Sequence, residues 1–248
     1  MDINSEITTY LMRGGYREND PYILTPEERE HIQRLNSVYE EITQNFPLQL
    51  GMDLSNEETE KVDFKGKLEL TYGEVEFLTL AELFCTLKAR YDLPQGGIFY
   101  DLGSGTGKCV VGAALLHEFD ECRGIEILEN LFKTSLQLQE VFRQASNRKI
   151  SFVMGDILTE NWADASFIFV NGTCMSPEIL KQLGDIPIRP GTLSLSLTNS
   201  LPAENWKILE KVKNQMSWGT CTVFIQRRVD PQEDEELRLA FARGLESD

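Results

Sequence analysis

Basic residues are scarce in this chain of 248 residues: 24 lysines and arginines stand against 40 aspartates and glutamates, a formal charge of −16. Docking on a phosphate backbone needs cationic surface, because each neutralised phosphate adds salt-dependent affinity. The overall balance therefore argues against broad nucleic-acid docking and suits a basic protein partner, although a local basic patch remains compatible with it. Histidine is scarcer still. His31 and His117 are the two, both in helical stretches, which leaves a histidine-based metal site or triad without its side chains. The cysteines are odd in number (Cys85, Cys109, Cys122, Cys174, Cys221), lack C-x-x-C spacing and lie mostly in apolar runs. They read as reduced core residues, with no disulfide framework or zinc site. Long apolar runs are also missing: none approaches the ~20 residues of a membrane span, and the polar start MDINSEITT is unlike a signal peptide. A soluble, intracellular protein is expected.

Hydrophobic residues make up 41% of the chain, enough at this length to bury a full core. One α/β domain with an N-terminal extension is the natural division. Its organising stretch is Ile98 to Glu126. An apolar run ends on Asp101, a loop carries Gly103, Gly105 and Gly107, Lys108 opens a helical apolar run, and a second short strand ends on Glu126. This is the strand, loop, helix and strand of a nucleotide-binding βαβ unit. Spacing separates its ligand classes. A P-loop needs glycine at 102 and Ser or Thr at 109, where the chain has Leu102 and Cys109; a dinucleotide fingerprint needs glycine at 108, where it has Lys108. D-x-G-x-G-x-G followed by an acid at the next strand end is the pattern of S-adenosylmethionine-dependent methyltransferases of the Rossmann-like class. The glycines let main-chain N–H groups approach the ligand, and the helix N-terminus favours its carboxylate. Glu126 at the strand tip is placed to accept both ribose hydroxyls.

Residues 1–24 read as an arm. Thr25-Pro26-Glu27-Glu28 is a helix start with a capping box, and the helix runs along Ile32, Leu35, Val38, Tyr39 and Ile42. Gly51 to Asp63 is polar and acidic, and reads as a linker or exposed loop. Tyr72-Gly73-Glu74 then enters a helix whose face is Phe77, Leu80, Ala81, Phe84 and Leu87; by itself Glu74 is better explained as a charge at the helix dipole. After the βαβ stretch, Leu131 to Gln144 reads as a helix and Ile150 to Met154 as a strand ending at Gly155-Asp156, at a sheet edge where ligands bind. Ser166 to Val170 is a buried strand ending on Asn171-Gly172. Ser176-Pro177-Glu178 starts a helix, and Gly191 to Leu197 and Thr220 to Gln226 are further strands. The boundaries expected are a helical extension and linker at 1–65, a catalytic domain at 66–229 and an acidic tail at 230–248.

In this order the pieces resemble the DOT (disruptor of telomeric silencing) family of histone-lysine methyltransferases. Tyr72-Gly73-Glu74 is similar to its Y-G-E entry and Asp101-Leu102-Gly103-Ser104-Gly105 to its D-L-G-S-G loop. Phe169-Val170-Asn171 with Pro177-Glu178 and Leu183 resembles its F-V-N-N segment and following helix, and Ser217-Trp218 its S-W signature. The resemblance implies a seven-stranded, class I, Rossmann-like α/β fold, S-adenosylmethionine as cofactor, and a histone H3 lysine in the nucleosome as acceptor, with a nuclear location. Methylation of a non-histone protein or small molecule is the alternative, and an inactive cofactor-binding scaffold the third reading. The cofactor residues implied are Tyr72, Glu74, Asp101, Gly103, Ser104, Gly105, Gly107, Lys108, Glu126, Asp156 and Asn171. Tyr72, Phe169 and Asn171 are the catalytic candidates, the last two lining a lysine channel. The chain departs from the family at Val75 and Lys108, at Gly172 in place of the second asparagine, and at Phe224 near the place of a channel tyrosine.

Overall fold

The computed structural model describes residues 17–18, 22–61, 70–202, 204–216 and 218–229. The expected N-terminal arm and acidic tail lie almost wholly outside them. Helix α1 (Pro26–Thr43) begins as its sequence requires: Thr25 Oγ1 accepts the Glu28 amide and Glu28 Oε2 accepts the Thr25 amide, at 3.2 and 2.7 Å. Helix α2 (Leu48–Lys61) occupies the stretch that reads as a loop, so that expectation is corrected. Its buried face consists of Gly51 and Ser55, too narrow to leave an apolar stripe in the sequence. The remaining face is polar and held by i,i+4 pairs, Gln49 with Asp53 at 2.8 Å and Lys61 with Glu57.

Among the described residues the sheet has eight strands: β1 (Arg17–Glu18), β2 (Ile98–Leu102), β3 (Glu121–Glu126), β4 (Ile150–Met154), β5 (Phe167–Val170), β6 (Leu193–Leu197), β7 (Trp206–Met216) and β8 (Gly219–Arg228). Their order is β1-β7-β8-β6-β5-β2-β3-β4. Strands β4, β3, β2, β5 and β6 are mutually parallel, and β8 lies antiparallel between β6 and β7. This is the expected Rossmann-like fold, with the two-residue β1 added at one edge. Strand β7 is unassigned in the sequence reading because lysines and glutamates interrupt its alternation. Its Glu210 is fully buried and anchored to helix α3 (Phe77–Tyr91) by Arg90 at 2.5 Å and the Tyr91 hydroxyl at 2.6 Å.

Helices α3, α4 (Lys108–Leu116) and α5 (Glu129–Ala145) cover one face of the sheet. Phe84, Phe99 and Phe167 stack there beside Leu87, Val110 and Phe142. Helix α6 (Pro177–Asp185) and Trp162 cover Tyr100, Leu102, Ile168 and Val170 on the other face. Residues of both faces of β2 and β5 are buried, as for central parallel strands. From β2 the chain proceeds outward to β3 and β4 on one side, and the connection from β4 crosses back to place β5 on the other side of β2. A crevice opens beyond the carboxyl ends at that reversal.

Candidate functional site

A cavity of about 360 Å³ fills this crevice, within the range of small-ligand sites. Its lining includes Tyr72, Glu74, Asp101, Gly103, Ser104, Gly105, Lys108, Glu126, Asp156, Phe169 and Asn171. Every candidate residue of the sequence reading except Gly107 is thus brought to one cavity. Gly107 is the N-cap of α4, with φ 89°, where a Cβ would strike the Phe152 ring at 2.4 Å. Gly103 is the opposite case. Its φ is 91° and a Cβ would meet nothing within 4 Å, so its backbone faces open space.

The acids are placed by strand ends. Glu126 closes β3 and lies buried; its Oε2 accepts the Gly105 amide and its Oε1 the Leu128 amide, each at 2.8 Å. Burial pushes its carboxyl above the ordinary range, and those amides hold it partly down. Asp101, at 2% exposure, is driven up further by burial and by the like charge of Glu126, against a hydrogen bond from the Cys109 thiol. Asp156 Oδ1 accepts the Leu158 amide at 2.9 Å, which shapes the turn after β4.

Over the cavity lies the segment 70–76. The Tyr72 hydroxyl donates to Glu74 Oε1 at 2.5 Å and pairs with Thr106 Oγ1 at 2.8 Å, while Lys108 Nζ donates to Glu74 Oε2 at 2.8 Å. Burial and the Glu74 charge push the Tyr72 phenol far up, so it remains a donor. The reading of Glu74 as a helix cap does not hold: Glu76 is the N-cap of α3, and Glu74 reaches Lys108 instead. The Tyr72 ring lies between two glycines, since a Cβ on Gly51 or Gly105 would strike it at 2.2 or 2.6 Å. Helix α2 therefore supports the site directly. Glu58 on α2 also accepts the Glu129 and Asn130 amides at 2.7 and 2.8 Å, capping α5 just beyond Glu126. Sequence reasoning missed Gly51, Glu58 and Thr106. Thr106 sits inside the glycine loop and was within reach, whereas Gly51 and Glu58 carry no pattern that marks them.

Beside the glycine loop the wall is formed by Phe169, Asn171, Met175 and Ile179. Asn171 Oδ1 accepts the Thr173 amide at a long 3.4 Å. Trp218 packs on the covering segment, close enough that a Cβ on Gly73 would touch its ring at 2.9 Å. Phe224 is not part of the cavity lining; the Lys211 ammonium lies 5.6 Å from its ring centre in the β7–β8 hairpin. Beside Asn171, Thr198 holds φ 65°, a conformation that costs a branched residue about 1–3 kcal/mol.

Comparison with known proteins gives a match over residues 56–217 to the family model described as histone methylation protein DOT1. A curated relative, a histone-lysine N-methyltransferase, H3 lysine-79 specific, from Eremothecium gossypii, is 23% identical over 171 residues, which are 62% of this chain and 29% of that protein. The chain thus spans less than a third of that relative's length. Among solved structures, an RNA methyltransferase from Salinibacter ruber in complex with S-adenosyl-L-homocysteine is similar at a TM-score of 0.47 and 23% identity, over 62% of this chain and 90% of that one. Magnesium protoporphyrin IX methyltransferase from Synechocystis PCC 6803 is similar at 0.49 and 12%, over 72% and 97%.

Proposed function

The chain belongs to the family of the histone methylation protein DOT1, and from that premise we propose that it is a protein-lysine N-methyltransferase that uses S-adenosylmethionine and acts on a core-domain lysine of histone H3 in the nucleosome. The observation that supports this most is the union, in one cavity, of a glycine loop open at Gly103 and buried acids with the strand end Phe169-Val170-Asn171. A donor side and an acceptor side are thereby adjacent.

The residues fit the cofactor. The Glu126 carboxylate, which takes backbone amides from Gly105 and Leu128 and a further contact from Ile127, would offer its remaining acceptor capacity to a ribose hydroxyl. Asp156 uses Oδ1 for its turn and keeps Oδ2 for an adenine amino group. Lys108, at the start of α4, would offer a point charge to the cofactor's carboxylate, and Tyr72 and Glu74 would cover its methionine part. The cofactor supplies a methyl group carried on a positively charged sulfur.

Glu74 would add negative potential around the place of that charge, and a positive sulfur there would favour ionisation of the buried Asp101. Phe169, Met175 and Ile179 form an apolar wall that strips water from an entering lysine. Its ammonium, with a reference pKa near ~10.4, loses its proton to water more readily in such surroundings. The Asn171 carboxamide, weakly engaged by Thr173, offers Oδ1 to an amine N–H and so aims the lone pair. Such positioning in line with the transferred group can supply ~7–11 kcal/mol of the barrier reduction. The charge of −16 supports a basic protein as acceptor, and a nuclear location follows from that substrate. No helix among the described residues is long and apolar enough to cross a membrane.

Radiolabelled methyl transfer to recombinant nucleosomes and to free histone octamers tests the proposal, with Glu126→Ala as blank. Label on H3 in nucleosomes is expected. Bound cofactor with label on neither substrate would reject the histone reading in favour of another protein or a small-molecule acceptor, and failure to bind cofactor would reject the methyltransferase reading itself.

A further inference from the structure

Strands β5 and β6 end side by side, and the loops that leave them are joined by polar contacts. Asn199 Nδ2 donates to the Gly172 carbonyl at 2.9 Å, and the Thr173 and Thr198 hydroxyls pair at 2.9 Å. The Thr198 amide also donates to the Thr222 carbonyl on β8 at 2.7 Å. The Ser196 hydroxyl donates to the Asn199 carbonyl at 2.5 Å, closing the turn from within. The two loops also touch backbone to backbone: a Cβ on Gly172 would stand 3.1 Å from the Leu197 carbonyl oxygen and 3.3 Å from Leu180 Cδ2. Thr198 meanwhile holds a left-handed φ of 65°. A branched residue keeps that conformation only where its surroundings over-determine it.

We propose that Thr198 and Asn199 are positioning residues for the acceptor side of the cavity, a clasp that fixes the loop from Asn171 to Met175. Neither lines the cavity, so each acts through another residue. Asn199 holds Gly172, whose carbonyl accepts the Met175 amide at 3.2 Å; Thr198 holds Thr173, whose amide donates to Asn171 Oδ1. Two cavity-lining residues are thus set by a turn that follows a different strand. None of these contacts reaches Glu126, Asp101 or the glycine loop, so the clasp governs the acceptor side without altering the cofactor side. The assignment rests on the methyltransferase reading for the identity of the acceptor. The mechanical role of the clasp does not depend on it.

The test compares wild type with Thr198→Val, which keeps the branched shape without the hydroxyl, with Asn199→Asp, which replaces the donor by an acceptor, and with Thr198→Ser as the conservative rescue. Amide hydrogen exchange of residues 172–175, calorimetric affinity for S-adenosylmethionine, and kcat and KM for methyl transfer to nucleosomes are measured on each. In Thr198→Val and Asn199→Asp, exchange is expected to quicken and kcat to fall, each about tenfold, the size of one lost hydrogen bond. Cofactor affinity stays within twofold, and Thr198→Ser restores both quantities. Unchanged exchange, or a loss of cofactor affinity as large as the loss of kcat, overturns the clasp. If wild type methylates neither nucleosomes nor octamers, the lysine-methyltransferase reading falls, while exchange and cofactor affinity still decide the clasp.

Discussion

The cofactor side of the cavity is built around one short run of chain, Asp101 to Glu126, with Tyr72, Glu74 and Asp156 added from outside it, whereas the acceptor side is assembled from Phe169 and Asn171 at the end of β5 and Met175 and Ile179 beyond it. In the first, the strand-end acid is held by backbone amides of its own βαβ unit and the residue beyond it, as Glu126 is by Gly105 and Leu128. In the second, contacts join loops that are neighbours because β5 lies between β2 and β6. A ligand pocket made by local backbone geometry tolerates few substitutions. One made by neighbouring loops can change its acceptor while the cofactor side stays fixed.

That division predicts a hierarchy of effects. The largest belongs to Gly103→Arg and Glu126→Ala. The arginine occupies the open space before a left-handed backbone, and the alanine strands the Gly105 and Leu128 amides; calorimetry should detect no cofactor binding in either. Retained affinity in both would break the comparison. Asn171→Ala is expected to leave cofactor affinity within about threefold and to lower kcat roughly 10²-fold, the scale of losing one aligned polar group at a reacting centre; an equal loss of cofactor affinity would erase the distinction between the sides.

The smallest effect concerns stability and sharpens the electrostatic side of the comparison. Asp101 is buried near Glu126, and its carboxyl lies well above the ordinary range. A carboxyl raised in the folded state costs nothing while protonated in both states, below its unfolded value near ~3.9. As pH rises from there towards the raised folded value, the folded state holds the extra proton and stability declines. Asp101→Asn should flatten that decline and stabilise the unliganded protein at pH 7 by about 1–3 kcal/mol, the cost of a poorly compensated buried polar group, while weakening cofactor binding. Denaturant midpoints from pH 4 to 8 measure it; an unchanged slope would remove Asp101 as its source.

Legibility in the sequence follows the same division. The strand, glycine loop and acid from Ile98 to Glu126 lie close along the chain, so their spacing carried the geometry. The turn residues and capping box at Thr25 were equally plain, because a helix start depends on neighbours within one turn. Helix α2 was not legible. Its role rests on Gly51 beneath the Tyr72 ring and Glu58 at the α5 N-terminus, contacts between distant segments that leave no periodic trace. Strand β7 was hidden because burial of Glu210 depends on Arg90 and Tyr91 of another element.

By itself the sequence determined the fold class, the cofactor loop and the acids that close its strands, since hydrophobic period, glycine spacing and strand-end acids are properties of short segments. Tertiary structure decided which residues face one another across the cavity: Tyr72 between Gly51 and Gly105, Glu74 with Lys108 rather than its own helix, and the β6 turn against Gly172. Those choices depend on strand order and on which backbones approach closely, and both are settled when the apolar faces of sheet and helices are buried together.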